Sequence, residues 1–319
     1  MASLLVILLI VGFVVAIVAV VLIAQSVLRP PRMNDGKALW LLRRLSPADL
    51  GLAFEETSFQ VGEGVPLRLA AWWIPAARSS DRCVVLIHGY ADAKVGAIAW
   101  APAWHALGFH VLALDLRAHG ESDGLYCTGG WFERHDVSAA INQLCAERPE
   151  QTRKVVLFGA SFGAAVAAAT AALRDDVAAV VLDSPYADFA DAAMRQMERL
   201  GTPGRIFQRA GLWLAGRIAG ADLAAVRPAE AIAAVRCPVM VIQSENDPTL
   251  SASDAQMIRD ALAARLPPRP GDRVWRIEGA GHLLALAADP VRYQKELADF
   301  LEAAEVLQQF TGSSCGSSV

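Results

Sequence analysis

The sequence predicts an α/β fold in which a mostly parallel sheet carries helices on both of its faces. Short apolar and β-branched runs alternate with longer helical stretches from Cys83 onward. Most of these runs are continuously apolar, which is typical of strands that are buried on both faces. The chain has 319 residues, of which 54% are hydrophobic and 19% are charged. This length is enough for one large α/β domain with appendages.

The chain begins with an apolar stretch that is long enough to cross a membrane. Residues 4–24 contain no charged side chain, and as a helix they extend about 31 Å. We therefore predict a transmembrane anchor within residues 1–28. A cleaved signal peptide is the main alternative, but no basic residue precedes the stretch, which is longer than the roughly 7–15 residues of a signal core. Its length and continuity also argue against a buried core helix.

Charge and cysteine content indicate where the main domain lies. Five basic residues follow the apolar stretch and none precedes it, namely Arg29, Arg32, Lys37, Arg43 and Arg44. The positive-inside rule then predicts a single-pass membrane protein with its main domain in the cytoplasm. Five cysteines without a C-x-x-C pair are compatible with a reducing compartment. The net charge of −4 gives no reason to expect nucleic acid as a partner.

The elements that follow the anchor can be predicted in order. Residues 29–53 are expected to be a linker with some helix near residues 37–45. Two strands and the turn between them at residues 62–66 predict an antiparallel hairpin. The predicted strands are Phe54–Gln60, Leu67–Ile74, Cys83–Ile87, His110–Leu114, Lys154–Phe158, Val177–Leu182, Pro238–Gln243 and Asp272–Ile277. The predicted helices are Val95–Leu107, Trp131–Cys145, Phe162–Leu173, Asp254–Leu266 and Pro290–Leu307.

Residues 186–235 interrupt this alternation. They have no strand signal and combine apolar side chains with several arginines. We predict a small helical cap, inserted into a main domain of residues 54–309, over the edge of the sheet where the parallel strands end. Packing over a pocket is the favoured role of the cap, and contact with a membrane surface is the alternative. Residues 310–319 are expected to be disordered.

The pentapeptide Gly159-Ala160-Ser161-Phe162-Gly163 lies between a predicted strand and a predicted helix. A G-x-S-x-G motif in this context is typical of a nucleophile elbow, in which a sharp turn raises the serine hydroxyl above the sheet. Side chains two residues before and after the serine would collide with neighbouring backbone, and glycine avoids this. We predict Ser161 to be a nucleophile. The alternative is a glycine-rich turn whose serine only caps the helix.

A serine nucleophile needs a base and a group that orients this base. His282 lies in a loop directly after the last strand, and catalytic groups in such sheets gather beyond the carboxyl ends of strands. His105, His110 and His135 lie on or beside helices and strands, while His88 and His119 precede glycines in turns. We predict His282 to be the base. The alternative is a loop histidine that caps the following helix.

The acid is expected in the loop after the preceding strand. Asp247 lies there and is followed by Pro248, which fixes the turn. The order Ser161, Asp247, His282 is that of a Ser-Asp-His triad in this type of sheet. Asp183, after the strand that follows the elbow, and Glu245 are the alternative acids. The oxyanion donors are predicted to be the backbone N–H groups of Phe162 and of Tyr90.

Together these motifs resemble the α/β-hydrolase fold superfamily over residues 54–307. The matching stretches are Leu86 to Tyr90, Asp115 to Ser122, Gly159 to Gly163, Leu182 to Tyr186, Glu245 to Asp247, and Gly281-His282. The chain is most similar to a bacterial branch near membrane-anchored serine hydrolases, acyl-thioesterase-like proteins and S9/S33-type peptidases. The resemblance implies an α/β-hydrolase fold and hydrolysis through a serine triad.

The expected function is hydrolysis of an ester or thioester of a small or lipid-like acyl substrate. A peptidase of the same mechanism is one alternative, for which Asp188 and Asp191 would have to bind a substrate amino terminus. A catalytically silent membrane scaffold is another alternative. Neither clustered metal ligands nor a phosphate-binding glycine loop is present in the sequence, so we expect no cofactor and no metal.

Overall fold

A mostly parallel sheet forms the centre of the protein, as predicted. The computed structural model describes residues 2–62, 65–202 and 204–307, and these contain eight strands in the order β1-β2-β4-β3-β5-β6-β7-β8. The strands are β1 (Glu55–Val61), β2 (Leu67–Ile74), β3 (Arg82–Ile87), β4 (His110–Leu114), β5 (Lys154–Ala160), β6 (Val177–Asp183), β7 (Val239–Ser244) and β8 (Arg273–Ile277). The pairs β1–β2 and β2–β4 are antiparallel, and all other neighbouring pairs are parallel.

Helices cover both faces of this sheet. They are α1 (Ala2–Leu28), α2 (Asp35–Leu42), α3 (Lys94–Ala97), α4 (Ala101–Ala106), α5 (Glu133–Glu147), α6 (Phe162–Ala172), α7 (Phe189–Arg199), α8 (Arg205–Ala219), α9 (Pro228–Ala234), α10 (Ala252–Ala263), α11 (Ala285–Ala288) and α12 (Pro290–Ala303). Part of the predicted turn at residues 62–66 and the whole predicted tail at residues 310–319 lie outside the described residues.

Strand β3 shows why its sequence is continuously apolar. Cys83, Val85 and Ile87 belong to the hydrophobic cluster on one face of the sheet, whereas Val84 and Leu86 belong to the cluster on the other face. All five side chains are fully buried. Because successive side chains of a strand point to opposite faces, a strand covered on both sides needs apolar residues at every position.

The predicted helix Val95–Leu107 is wrong as one continuous element. The structure has two short helices there, α3 and α4, separated by Ile98–Trp100. Pro102 lies in the first turn of α4, where its missing N–H leaves no hydrogen bond unmade. A proline inside a longer helix would have removed such a bond, so the chain starts a new helix instead.

The segment predicted as a linker, residues 29–53, is docked on the sheet domain. Arg32 donates hydrogen bonds to the carbonyl oxygens of Gly120 (2.9 Å) and Ser122 (2.7 Å). Arg44 donates to the carbonyl oxygens of Val95 (2.9 Å) and Gly96 (3.0 Å). Two arginines therefore attach this segment to loops that are distant in sequence.

The N-terminal apolar helix α1 is present, and among the described residues it is the one helix long and apolar enough to cross a membrane. Most of it is exposed, but Ile23, Ala24, Val27 and Leu28 in its last turns are buried. The carbonyl oxygen of Leu28 accepts a hydrogen bond of 2.8 Å from the N–H of Cys127. The end of α1 is thus built into the domain.

Residues 186–235 lie between β6 and β7 and form α7, α8, a short 3-10 turn and α9. Within this segment, α8 packs against α1. A Cβ atom at Gly211 of α8 would clash with the Ile23 side chain, so glycine is what allows the two helices to approach this closely.

Candidate active site

Ser161 occupies a sharp turn between β5 and α6. Its backbone has φ 53° and ψ −114°, a conformation that a residue with a side chain adopts only under strain. A Cβ at Gly159 would clash with the carbonyl of Gly163, and a Cβ at Gly163 would clash with the carbonyl oxygens of Ile87 and His88. The two glycines are therefore required by close backbone contacts. This geometry is that of a nucleophile elbow.

His282 and Asp247 meet beyond the ends of β8 and β7. His282 Nδ1 lies 2.6 Å from Asp247 Oδ2, a hydrogen bond in which an Nδ1–H donates to the carboxylate. The Asp247 side chain is almost fully buried, and the His282 side chain is 22% exposed. This bond orients the imidazole and leaves Nε2 as the ring nitrogen available for proton transfer.

Thr249 supports Asp247 from the other side. Its hydroxyl donates to Asp247 Oδ1 at 2.6 Å, and its backbone N–H donates to the same oxygen at 2.7 Å. The hydroxyl oxygen also lies 2.8 Å from His282 Nδ1. Thr249 is not among the site residues predicted from the sequence. The signal that could have found it is the hydroxyl two residues after a turn aspartate, a spacing that commonly closes a side-chain turn.

These contacts decide the ionisation of Asp247. Burial opposes the charged carboxylate, but the hydrogen bonds from His282 and Thr249 and the positive charge that His282 can carry outweigh this effect. The pKa of Asp247 is therefore lowered, so the carboxylate stays ionised at neutral pH. It can consequently stabilise a positive charge on His282.

We expect that Thr249→Val lowers kcat/KM by about 10- to 150-fold, because one hydrogen bond to a charged group contributes about 1.5–3 kcal/mol. The Thr249 hydrogen bond is one of the causes that lower the pKa of Asp247, so this pKa should rise without it, and activity should be lost at a higher pH on the acid side of the profile. Steady-state kinetics across pH on an ester substrate measures both effects. Thr249→Ser keeps the hydroxyl and should restore the wild-type profile, whereas an unchanged profile in Thr249→Val would contradict the role of Thr249.

The two alternative acids have other partners. Asp183 Oδ1 accepts a hydrogen bond of 2.9 Å from the Ser184 hydroxyl, and no hydrogen bond joins Asp183 to His282 within the described residues. Burial raises the pKa of Asp183 to about 7, although the Ser184 hydrogen bond and the His282 charge act in the opposite direction. Glu245 pairs with Arg276 at 2.5 Å. These contacts favour Asp247 as the acid.

The histidines near the elbow hold backbone and are poorly placed to act as bases. His88 is fully buried, its Nδ1 lies 2.7 Å from the Gly89 carbonyl oxygen, and its Nε2 accepts from the Leu116 N–H. His119 Nδ1 lies 2.9 Å from the carbonyl oxygen of Arg117. Burial lowers the pKa of His119 to about 4, and its neighbour His88 contributes in the same direction. Both rings are therefore neutral structural elements at neutral pH.

The predicted oxyanion donors lie on the two segments that meet at the elbow. Phe162 begins α6, where a backbone N–H has no partner within the helix. A Cβ at Gly89 would lie 3.8 Å from Ser161 Cβ, so the loop before Tyr90 passes beside the serine. The Tyr90 and Phe162 rings meet edge to face at 6.3 Å. Within residues 65–202, neither N–H donates a backbone hydrogen bond.

Ser161 and His282 both follow the carboxyl ends of parallel strands, at the same edge of the sheet. Asp183 interacts with both residues. The Asp183 carbonyl oxygen accepts a hydrogen bond of 2.8 Å from the Ser161 N–H, while its carboxyl group interacts electrostatically with His282. In the described residues no hydrogen bond joins the Ser161 hydroxyl to His282. Such bonds are often long in unliganded enzymes and tighten when substrate binds.

The described residues contain no group of three or more His, Cys, Asp or Glu side chains that could hold a metal ion. The absence of a cofactor stays a prediction from the sequence. What the arrangement offers chemically is a strained serine, a histidine bound to an ionised carboxylate, and the first backbone N–H of α6 directly after the serine.

Comparison with known proteins identifies the family of this chain. The alpha/beta hydrolase family matches residues 84–293, a range that contains the elbow, Asp247 and His282. The chain therefore belongs to the alpha/beta hydrolase family, as the sequence motifs predicted.

Relatives extend this similarity without defining a substrate. The chain is 29% identical to the uncharacterized protein Rv2307c of Mycobacterium tuberculosis over 217 residues, which cover 68% of each protein. It is 22% identical to the uncharacterized protein YqkD of Bacillus subtilis over 252 residues, covering 78% of this chain and 80% of YqkD. The alpha/beta hydrolase domain-containing protein WAV2 of Arabidopsis thaliana is 29% identical over 47% of this chain and 48% of WAV2.

Solved structures share the fold. The esterase Pf2001 of Pyrococcus furiosus has a TM-score of 0.69 and 22% sequence identity, and the match covers 87% of this chain and 98% of the esterase. The alpha/beta hydrolase GrgF of Penicillium has a TM-score of 0.60 and 19% identity, covering 80% of this chain and all of GrgF. TM-scores of this size show a common fold.

Proposed function

We propose that this hydrolase cleaves an ester or thioester of a small or lipid-like acyl substrate through a Ser161–His282–Asp247 triad. The observation that carries the proposal is the 2.6 Å bond between His282 and an ionised Asp247, beyond the strand ends of the sheet edge that also carries the strained Ser161. A base oriented by a carboxylate is what a serine hydroxyl needs in order to attack a carbonyl carbon.

The reaction would proceed in two halves. His282 Nε2 takes the proton of the Ser161 hydroxyl while Oγ attacks the carbonyl carbon, and the N–H groups of Tyr90 and Phe162 stabilise the oxyanion. The imidazolium, stabilised by Asp247, then protonates the leaving alcohol or thiol as its bond to the acyl carbon breaks. Water, deprotonated by His282, then attacks the acyl carbon. The bond from this carbon to Ser161 Oγ breaks, the imidazolium returns its proton to Oγ, and the acid is released.

The cap favours an ester or thioester over a peptide. A peptidase that binds a free amino terminus needs carboxylates directed into its pocket, and Asp188 and Asp191 are the candidates on the cap. Asp188 instead caps α7 by accepting from the Asp191 N–H at 3.0 Å, and it lies 3.7 Å from Arg227. Asp191 is exposed. Neither side chain forms a paired anionic site.

A panel of substrates tests this choice. The purified full chain should hydrolyse p-nitrophenyl esters of increasing acyl length and leave aminoacyl anilides intact. Hydrolysis of the anilides alone would reverse the assignment in favour of a peptidase. Failure to hydrolyse any member, together with failure to react with an alkyl fluorophosphonate, would identify a silent scaffold.

We also infer that α1 anchors the protein in a membrane with the hydrolase domain in the cytoplasm. An exposed apolar helix followed by Arg29, Arg32 and Lys37 supports this orientation. A C-terminal alkaline phosphatase fusion should be inactive and a C-terminal green fluorescent protein fusion should fluoresce. The opposite pair of results would place the domain outside the cytoplasm.

A further inference from the structure

The cap helix α8 has an exposed stripe that combines apolar and cationic side chains. Ile206 is 77% exposed and Trp213 is 67% exposed. Arg209 and Arg217 are also exposed, and the four residues follow one another at spacings of three or four, which places them on one face of the helix. Large apolar side chains that point into water on one helix face indicate a surface that contacts something else.

The opposite face of α8 packs against α1. Gly211, Leu212 and Ala215 on that face are buried, and Gly211 allows contact with Ile23 of α1. The exposed stripe therefore faces away from α1, on the outer surface of the α1–α8 pair. Any bilayer that surrounds α1 is a neighbour of this stripe.

The length of α1 determines how close that bilayer comes. Its side chains from Leu4 to Leu22 are mostly exposed, and this part of the helix extends about 28 Å. A hydrocarbon core is about 30 Å thick, so a core that covers this exposed part ends near Ile23 if α1 crosses it without strong tilt. Ile23 packs on Gly211, so the boundary of the hydrocarbon core lies where α8 contacts α1.

The charges of α8 match an anionic lipid surface. The helix contains Arg205, Arg209 and Arg217 and no acidic residue. Arg205 pairs with Glu198 at 3.2 Å, whereas Arg209 and Arg217 have no ion pair among the described residues. Tryptophan and arginine on one helix face are typical of segments that lie in the headgroup region, with the ring at the core boundary and the guanidinium on phosphate.

We propose that α8 is a second membrane contact, in which Ile206 and Trp213 enter the lipid interface beside α1 and Arg209 and Arg217 bind anionic headgroups. This inference rests on the membrane anchoring proposed above. The loop at Tyr90, beside the nucleophile elbow, is attached to the end of α1, because the Tyr90 hydroxyl donates a 2.9 Å hydrogen bond to the Ser26 carbonyl oxygen. The substrate class that this position favours is an acyl lipid that enters the site from the bilayer.

A fluorescent probe at position 213 tests the contact directly. In the full chain, Cys145, Cys237 and Cys315 are first replaced by serine. One variant then carries Trp213→Cys, and the control variant carries Val291→Cys. Each is labelled with a nitrobenzoxadiazole and placed in nanodiscs. Val291 is suitable because it is 80% exposed on α12. Nanodiscs of equal parts phosphatidylcholine and phosphatidylglycerol contain a lipid with a spin label near its headgroup.

The probe at position 213 should be quenched severalfold more than the probe at position 291. Equal, weak quenching at both positions would overturn the proposal. A probe at position 213 that is shielded from aqueous iodide but is not quenched by the spin-labelled lipid would also overturn the proposal. This result would indicate that a second copy of the chain covers α8. These outcomes do not depend on catalytic activity.

A kinetic comparison tests the functional consequence. Arg209→Gln/Arg217→Gln should lower hydrolysis of p-nitrophenyl palmitate in phosphatidylglycerol-containing vesicles several-fold and leave hydrolysis of soluble p-nitrophenyl acetate unchanged. The matched control Arg292→Gln/Lys295→Gln, on α12, should change neither. Equal rates of palmitate hydrolysis in both double variants would contradict lipid binding by α8. If the wild-type chain does not hydrolyse p-nitrophenyl acetate at all, the proposed function itself is refuted.

Discussion

Ser161→Ala is expected to lower kcat for ester hydrolysis about 10⁶-fold, the largest effect of any single substitution in this protein. The acyl-enzyme cannot form without the serine oxygen, and the remaining groups can only assist attack by water. Steady-state kinetics with p-nitrophenyl butyrate measures the loss. The backbone at position 161 has positive φ with either residue, so the melting temperature should change little.

Ser58→Ala is the matched control for this experiment, because Ser58 is exposed on β1 at the far end of the sheet order from β7 and β8. It should retain wild-type kinetics. A Ser161→Ala variant that retains a substantial part of the wild-type kcat would show that another group is the nucleophile.

Asp247→Asn is expected to lower kcat about 10⁴-fold, the scale found when the acid of a serine triad becomes an amide. The amide carries no charge to stabilise the imidazolium, and its N–H₂ group can hold His282 in the wrong tautomer. The control is Glu245→Gln, which removes a nearby carboxylate that pairs with Arg276. It should stay within a few-fold of wild type. Equal losses in both variants would indicate a general electrostatic effect in place of a specific role of Asp247.

The same residue makes stability depend on pH. The folded pKa of Asp247 is lowered, so its ionised form contributes stability that is fully present above the unfolded value of about 3.9 and is lost as pH falls through the folded pKa. The melting temperature of the wild type should therefore fall more steeply in acid than that of Asp247→Asn. Parallel melting curves across this range would contradict the inferred ionisation.

Much of the sheet could be predicted from the sequence, because strands covered on both faces need an apolar residue at every position. The placement of Ser161, Asp247 and His282 at one edge follows from the same prediction, since parallel strands end on the same side of a sheet. The position of a residue relative to the strand ends therefore carries more information than the residue type alone.

Other features depend on contacts that sequence spacing does not encode. Arg32 and Arg44 bind carbonyl oxygens far along the chain, so residues 29–53 had the composition of a linker although they are docked. The interruption between α3 and α4 was visible as Pro102, but the surrounding apolar residues suggested one longer helix.

Labelling with an alkyl fluorophosphonate tests the central claim most directly, because this reagent phosphonylates only a serine that a neighbouring base activates. The purified full chain should gain one adduct, and peptide mass spectrometry should locate it on Ser161. Ser161→Ala should gain none, and Asp247→Asn should react much more slowly than wild type. An adduct on another residue, or equal labelling of wild type and Ser161→Ala, would contradict the proposed active site.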